Sequence, residues 1–153
     1  MQPLPEDWPR IAASIFYDDA AKAIDWLCNA FGFEVRLKIE GEGGRIEHSE
    51  LTFGEGLIMV GNVPGDSGRP ERMYCKSPRS LGGANTQSLC IYVDDVDVHC
   101  TKARAAGAKI QEGPRTDDYG EEYGSHRSYR AQDPEGHQWW FMHRIRDPKP
   151  SAR

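Results

Sequence analysis

An α+β fold is predicted, made of two βαβββ modules whose curved mixed sheet encloses a cleft. Three internal repeats point to it. Ile15-Phe16-Tyr17-Asp18-Asp19 and Ile91-Tyr92-Val93-Asp94-Asp95 each finish an apolar run and open an amphipathic stretch. Those stretches close on Phe31-Gly32-Phe33 and Ala106-Gly107-Ala108, so that Gly107 follows Gly32 by 75 residues and Val93 follows Tyr17 by 76. Phe53-Gly54-Glu55-Gly56 then aligns with Asp133-Pro134-Glu135-Gly136 at an offset of 80. Duplication on this scale implies two packed modules with a concave junction, the kind of place where small molecules bind.

Each element has its own signal. Residues 11–17 are apolar and suit a strand. Asp18 or Asp19 can cap a helix through about Phe31, with Ala20, Ala23, Ile24, Leu27 and Ala30 or Phe31 at helical spacing. Gly32 fits the residue just past its end. A strand over Phe33–Ile39 follows, and Glu40-Gly41-Glu42-Gly43-Gly44 reads as a turn. Ile46–Phe53 and Leu57–Asn62 form a hairpin around Gly54-Glu55-Gly56. The second module repeats the order, with a strand over 88–93, a helix over about 96–106, a strand near 108–112 and hairpin strands over 125–132 and 137–144. Between the modules, residues 63–86 are rich in Gly, Pro, Ser and Arg and too long for an ordinary connection, so they form a lid or a disordered linker. Asp117 to Gly124 reads as an acidic, tyrosine-bearing loop. The expected organisation is a single domain over 8–146, with modules of about 10–62 and 87–145 and a flexible tail at 147–153.

Composition narrows the function classes. A chain of 153 residues can bury a core without disulfides or a structural metal. No apolar run is long enough to cross a bilayer, so no membrane partner is expected. Met1-Gln2-Pro3-Leu4-Pro5-Glu6-Asp7 lacks the basic and apolar regions of a signal peptide. Cys28, Cys75, Cys90 and Cys100 show no CxxC and no disulfide framework, which reads as reduced thiols in a cytoplasmic protein. A net charge of −5 argues against nucleic acid as a partner. Nucleophile-elbow, phosphate-loop and dinucleotide-binding motifs are absent in the right context.

The two modules, together with Tyr17-Asp18-Asp19-Ala20-Ala21-Lys22-Ala23-Ile24-Asp25-Trp26, Phe31-Gly32-Phe33 and Asp133-Pro134-Glu135-Gly136-His137, resemble the vicinal oxygen chelate superfamily. That group includes glyoxalase I, extradiol dioxygenases, fosfomycin-modifying enzymes and bleomycin-binding resistance proteins. The resemblance spans about residues 10–145. It is nearest to the small glyoxalase/bleomycin-resistance-like proteins of bacteria, including the PhnB-like branch with its Asp-Pro-x-Gly-His-x-Trp ending. It also implies a homodimer.

In such proteins metal ligands usually come from the first and last strand of each module. The matching positions here are Ala12, Val60, Ser88 and Trp140, a set unable to hold a divalent ion. Neighbouring positions are equally unsuited, Gln87 excepted. The expectation is therefore no metal and no cofactor. A relocated site built on His48 and Glu50, with His126 or His137, is the alternative; the plainer reading makes His48 and Glu50 the polar side of a strand.

Six residues are expected to bind the ligand: Phe16, His48, Glu50, Tyr92, Arg130 and Trp140. Strand alternation groups Phe16 with Ala12 and Ser14, and Tyr92 with Ser88 and Cys90. The repeat pairs Glu50 with Arg130 and His48 with Ser128. If those strands line the cleft, opposite charges reach one cavity and either neutralise each other or meet a polar ligand. Trp139 and Trp140 point to opposite faces, one to a helix and one to the cleft, where a Trp offers a stacking surface.

Two function classes follow. One is a metal-independent protein that binds a small, aromatic or cationic molecule. The other is a lyase, isomerase or dioxygenase using an atypical metal set or an acid–base pair such as His48 and Glu50.

Overall fold

A computed structural model describes residues 1–65 and 70–150. The chain divides into two compact units, Met1–Gly82 and Gly83–Arg153. No helix among the described residues is long and apolar enough to cross a membrane.

The first unit contains β1 (Ala13–Tyr17), α1 (Ala20–Phe31), β2 (Glu34–Glu40), β3 (Ile46–Phe53) and β4 (Gly56–Asn62). Helix α1 begins where the Asp19 carboxylate accepts from the Lys22 N–H, and it ends at Gly32 in the left-handed region at φ 85°. Its stripe of Ala20, Ala23, Ile24, Leu27, Ala30 and Phe31 is buried against the sheet. Full burial of side chains such as Ile24, Leu27 and Phe31 contributes about 1.5–3 kcal/mol each. The sheet order is β1-β4-β3-β2, with β1 parallel to β4 and the other pairs antiparallel.

The second unit repeats this arrangement. It contains β5 (Leu89–Tyr92), α2 (Val96–Ala105), β6 (Lys109–Asp118), β7 (Ser125–Gln132) and β8 (Gln138–Arg146), in the order β5-β8-β7-β6. Asp95 caps α2 by accepting from the Asp97 and Val98 N–H groups. The two four-stranded mixed sheets, each backed by one helix, are the predicted α+β modules.

Register shows where the repeat departs from the sequence alignment. Glu50 pairs with Met59 and Arg130 with Trp140, while Ser14 pairs with Met59 and Cys90 with Trp140. The counterpart of Trp140 is therefore Met59, and Val60 matches Phe141. The one-residue displacement arises in the hairpins. Phe53 pairs with Gly56 across two residues, whereas Asp133 bonds to His137 across three, Gly136 adding a left-handed residue at φ 99°.

Other boundaries also move. The strand expected near 108–112 continues to Asp118, with its register shifting around Gly113 and Pro114, where proline cannot donate to a ladder. The expected acidic loop thus shrinks to a turn over 119–124, closed by the Tyr119 N–H on the Gly124 carbonyl at 3.0 Å. Beyond it, the Lys149 N–H bonds the Glu121 carbonyl at 2.8 Å; residues 151–153 of the expected tail lie outside the described residues. Within 63–86, expected as a lid or linker, residues 66–69 also lie outside them. Pro70–Arg72 and Pro78–Leu81 form short 3-10 turns, and Ser77 is buried with its hydroxyl on Asp18 at 2.7 Å.

Candidate functional site

Each sheet buries one face against its own helix. In the first unit that face carries Ile15, Leu51, Ile58 and Val60; in the second it carries Tyr129, Ala131, Trp139 and Phe141. Alternation therefore puts Ser14, Phe16, Glu50 and Met59 on the opposite face of the first sheet, and Cys90, Tyr92, Arg130 and Trp140 on that of the second. Five of the six expected residues thus sit on these faces by register. His48 joins them two residues before Glu50.

On the first sheet, His48 Nε2 lies 3.0 Å from Glu50 Oε1, and Arg36 Nε lies 3.0 Å from Glu50 Oε2. Glu50 is only 7% exposed, so both oxygens of a buried carboxylate are engaged. Arg36 reaches it because it is the extra residue of a bulge: Val35 pairs with Leu51 and Leu37 with Glu50. The remaining guanidinium nitrogens of Arg36 hold the Asp7 carbonyl and carboxylate, and its face lies 5.3 Å from the Trp8 ring. The segment carrying Asp7 and Trp8 also walls a cavity of about 480 Å³ with Arg36, Thr52 and Leu57. Beside His48, side chains replace the backbone ladder between β3 and β4. Ser49 Oγ accepts from the Val60 N–H at 3.2 Å, and Asn62 Oδ1 accepts from the Ile46 N–H at 2.7 Å.

The second sheet repeats the chemistry with the charges exchanged. Arg130 Nη1 lies 3.3 Å from Glu112 Oε1 on the edge strand, and its guanidinium is 4.5 Å from the Trp140 ring. A bulge at Gln111 matches the one at Arg36. Trp8–Arg36–Glu50 and Trp140–Arg130–Glu112 are therefore two tryptophan–arginine–glutamate groups, one per unit. Arg130 and Trp140 line a cavity of about 440 Å³ together with the side-chain amides of Asn85, Gln87, Gln111 and Gln138. Among the described residues, Arg130 Nε is a buried side-chain nitrogen with no hydrogen-bond partner.

Trp139 and Trp140 do point to opposite faces. Trp139 is 1% exposed and donates its indole N–H to Asp133, whereas Trp140 is 36% exposed. His137 serves the turn through its backbone, its N–H donating to Asp133 Oδ1 at 3.0 Å. His126 accepts from Arg144 at 3.3 Å and lies near the rings of Tyr92 and Tyr119. Beside Trp140, the Cys90 thiol contacts the Met142 sulfur at 3.0 Å, and burial pushes its pKa up.

A divalent metal of the kind the fold implies does not fit these residues. Ala12, Val60, Ser88 and Trp140 offer one hydroxyl between them, and Met59, the true counterpart of Trp140, adds a thioether. At Glu50, Arg36 already supplies the positive charge a cation would bring. No group of three or more His, Cys, Asp or Glu among the described residues is arranged to hold a metal.

The sequence reading missed Arg36, Trp8, Glu112 and the amide cluster. Gln87, singled out beside Ser88, was the one signal pointing towards that cluster. Arg36 gave none, since Val35, Leu37 and Ile39 alternate as in a regular strand.

Comparison with known proteins places the fold. TioX from Micromonospora sp. ML1 superposes with a TM-score of 0.67 at 30% identity, covering 90% of this chain and all of that one. TnmS3, an antibiotic binding protein from Streptomyces sp. CB03234, superposes at 0.58 with 18% identity over 90% of this chain and 93% of its own, a likeness of fold alone. An uncharacterized protein of Mycobacterium tuberculosis is 29% identical over 140 residues, 91% of this chain and 76% of the relative. The sequence model for glyoxalase, bleomycin resistance protein and dioxygenase matches residues 10–141, and the chain belongs to the Glyoxalase/Bleomycin resistance protein/Dioxygenase superfamily.

Proposed function

We propose that this protein binds a small aromatic molecule on the helix-distal face of the second sheet, beside Trp140, without a divalent metal. Arg130 and Trp140 line that site and are the proposed binding residues, with Tyr92 on the same face; Phe16, His48 and Glu50 stand on the corresponding face of the first sheet. The observation that carries the reading is a partly exposed tryptophan bordering a 440 Å³ cavity lined by amides. Cavities of this size suit a small ligand, with the ring supplying apolar contact and the amides fixing orientation. Sequestration is the role that TnmS3, described as antibiotic-binding, suggests by analogy. A cationic ligand has less support at Trp140, because the Arg130 guanidinium already lies against that ring.

Tryptophan fluorescence and thermal shift in EDTA, screened with glycopeptide antibiotics and aromatic metabolites, test this. Saturable quenching by at least one compound, lost in Trp140→Ala, is expected. Failure of every compound to alter emission or melting would remove the basis for sequestration.

One contact favours a second reading. The 3.0 Å approach of His48 to Glu50 is an acid–base pair of the kind a lyase or isomerase uses. In that case Glu50→Gln would abolish turnover of a bound compound while leaving its affinity near wild type.

A further inference from the structure

We propose that the second-unit cavity is a carboxylate site, with Arg130 gripping the ligand's two oxygens and Glu112 acting as a resident competitor. This inference rests on the reading of the Trp140 cavity as a binding site and names the ligand's chemistry there.

The two tryptophan–arginine–glutamate groups supply the argument, because one is saturated and the other is not. Arg36 has a ring on its face, Glu50 on Nε and Asp7 on both terminal nitrogens. Arg130 has Trp140 on its face and Glu112 on Nη1, while its buried Nε has no partner among the described residues. A guanidinium offers a planar fork that matches the two oxygens of a carboxylate; with Nε sealed from solvent, the fork Arg130 can offer is its terminal pair, of which Glu112 holds Nη1 alone. The aromatic stack fixes the plane of that fork.

The cavity wall agrees in charge. It presents one cation, four neutral amides and no carboxylate. The Asn85 amide accepts from the Gln138 backbone N–H at 3.3 Å and donates to the Gly136 carbonyl at 2.9 Å, and the Gln111 amide donates to Gln132 at 3.2 Å, so two of the four amides have defined positions. A single arginine suits a monoanion better than a phosphate dianion. Glu112 is 42% exposed at its side chain and 3.3 Å away, a pair weak enough for a ligand carboxylate to displace.

Benzoate, benzamide and phenyl phosphate are the probes, read by Trp140 fluorescence and by the Arg130 Nε–H resonance in the full-length protein. Benzoate is expected to bind at least about tenfold more tightly than benzamide and to outbind phenyl phosphate, shifting the Nε–H signal. Arg130→Lys, which keeps the charge and loses the fork, should weaken benzoate about tenfold. Glu112→Gln should tighten it a few-fold. Should the arginine variant misfold, the wild-type Nε–H shift and the Glu112→Gln change decide. Equal binding of benzamide, or preference for phenyl phosphate, overturns the carboxylate assignment while the cavity remains a binding site. Absence of any response to all three probes overturns the inference; the reading beneath it falls only if the antibiotic and aromatic-metabolite screen is silent as well.

Discussion

The indole N–H of Trp139 reaches the buried Asp133 carboxylate at 3.1 Å, which anchors β8 and leaves the next residue, Trp140, on the opposite face. Adjacent tryptophans therefore have separable roles. Trp139→Ala should cost about 3–5 kcal/mol in denaturant unfolding, as expected for a large aromatic removed from a core. Trp140→Ala should cost less than about 1.5 kcal/mol, yet remove most ligand affinity.

Asp133 itself ties the last hairpin together. Its carboxylate accepts from the Glu135 N–H, the His137 N–H and Trp139 Nε1 at 3.0–3.1 Å. Asp133→Ala strands buried donors and should lower unfolding stability by about 3 kcal/mol. Asp133→Asn, which keeps one acceptor oxygen, should recover part of that loss.

Stability should also depend on pH through Asp97. Arg127 holds this carboxylate at 2.6 and 2.7 Å, linking α2 to β7, and that hydrogen bonding keeps its pKa below the usual carboxylate value. A group lowered on folding stabilises the protein above its unfolded pKa. That contribution is lost as pH falls through the folded value. Asp97→Asn should therefore flatten the acidic limb of a melting-temperature profile, with little change between the two proteins' slopes near neutrality.

The elements were readable in sequence because their signals are local. Asp19 and Gly32 mark the ends of α1, and its apolar stripe repeats at helical spacing. Glu50 and Arg130 were correctly paired by the repeat, since β3 and β7 keep an offset of 80. Trp140 was matched to Val60 instead of Met59, because one additional turn residue in the last hairpin shifts every later position. Nor could sequence reveal that Arg36 reaches Glu50. A bulge depends on the register of the neighbouring strand, and a regular alternation of Val35, Leu37 and Ile39 conceals it.

Gly124 should be intolerant of any side chain. It sits at φ 79°, and a Cβ there would meet the backbone carbonyl of Arg146. Gly124→Ala should cost more than about 1 kcal/mol and loosen the turn over 119–124. Gly54→Ala is a useful contrast: its φ is also positive, at 54°, but no atom lies within 4 Å of the added carbon. Its loss should be the smaller in the same thermal-unfolding measurement.

The decisive measurement is a tryptophan-fluorescence titration of protein stripped with EDTA, repeated after zinc or nickel is restored. Saturable ligand binding of equal affinity in both samples, abolished by Trp140→Ala, is the expected result. Binding that occurs only after metal is restored, and is lost in His48→Ala or Glu50→Gln, would contradict a cavity that holds its ligand through Trp140, Arg130 and the amides without a metal.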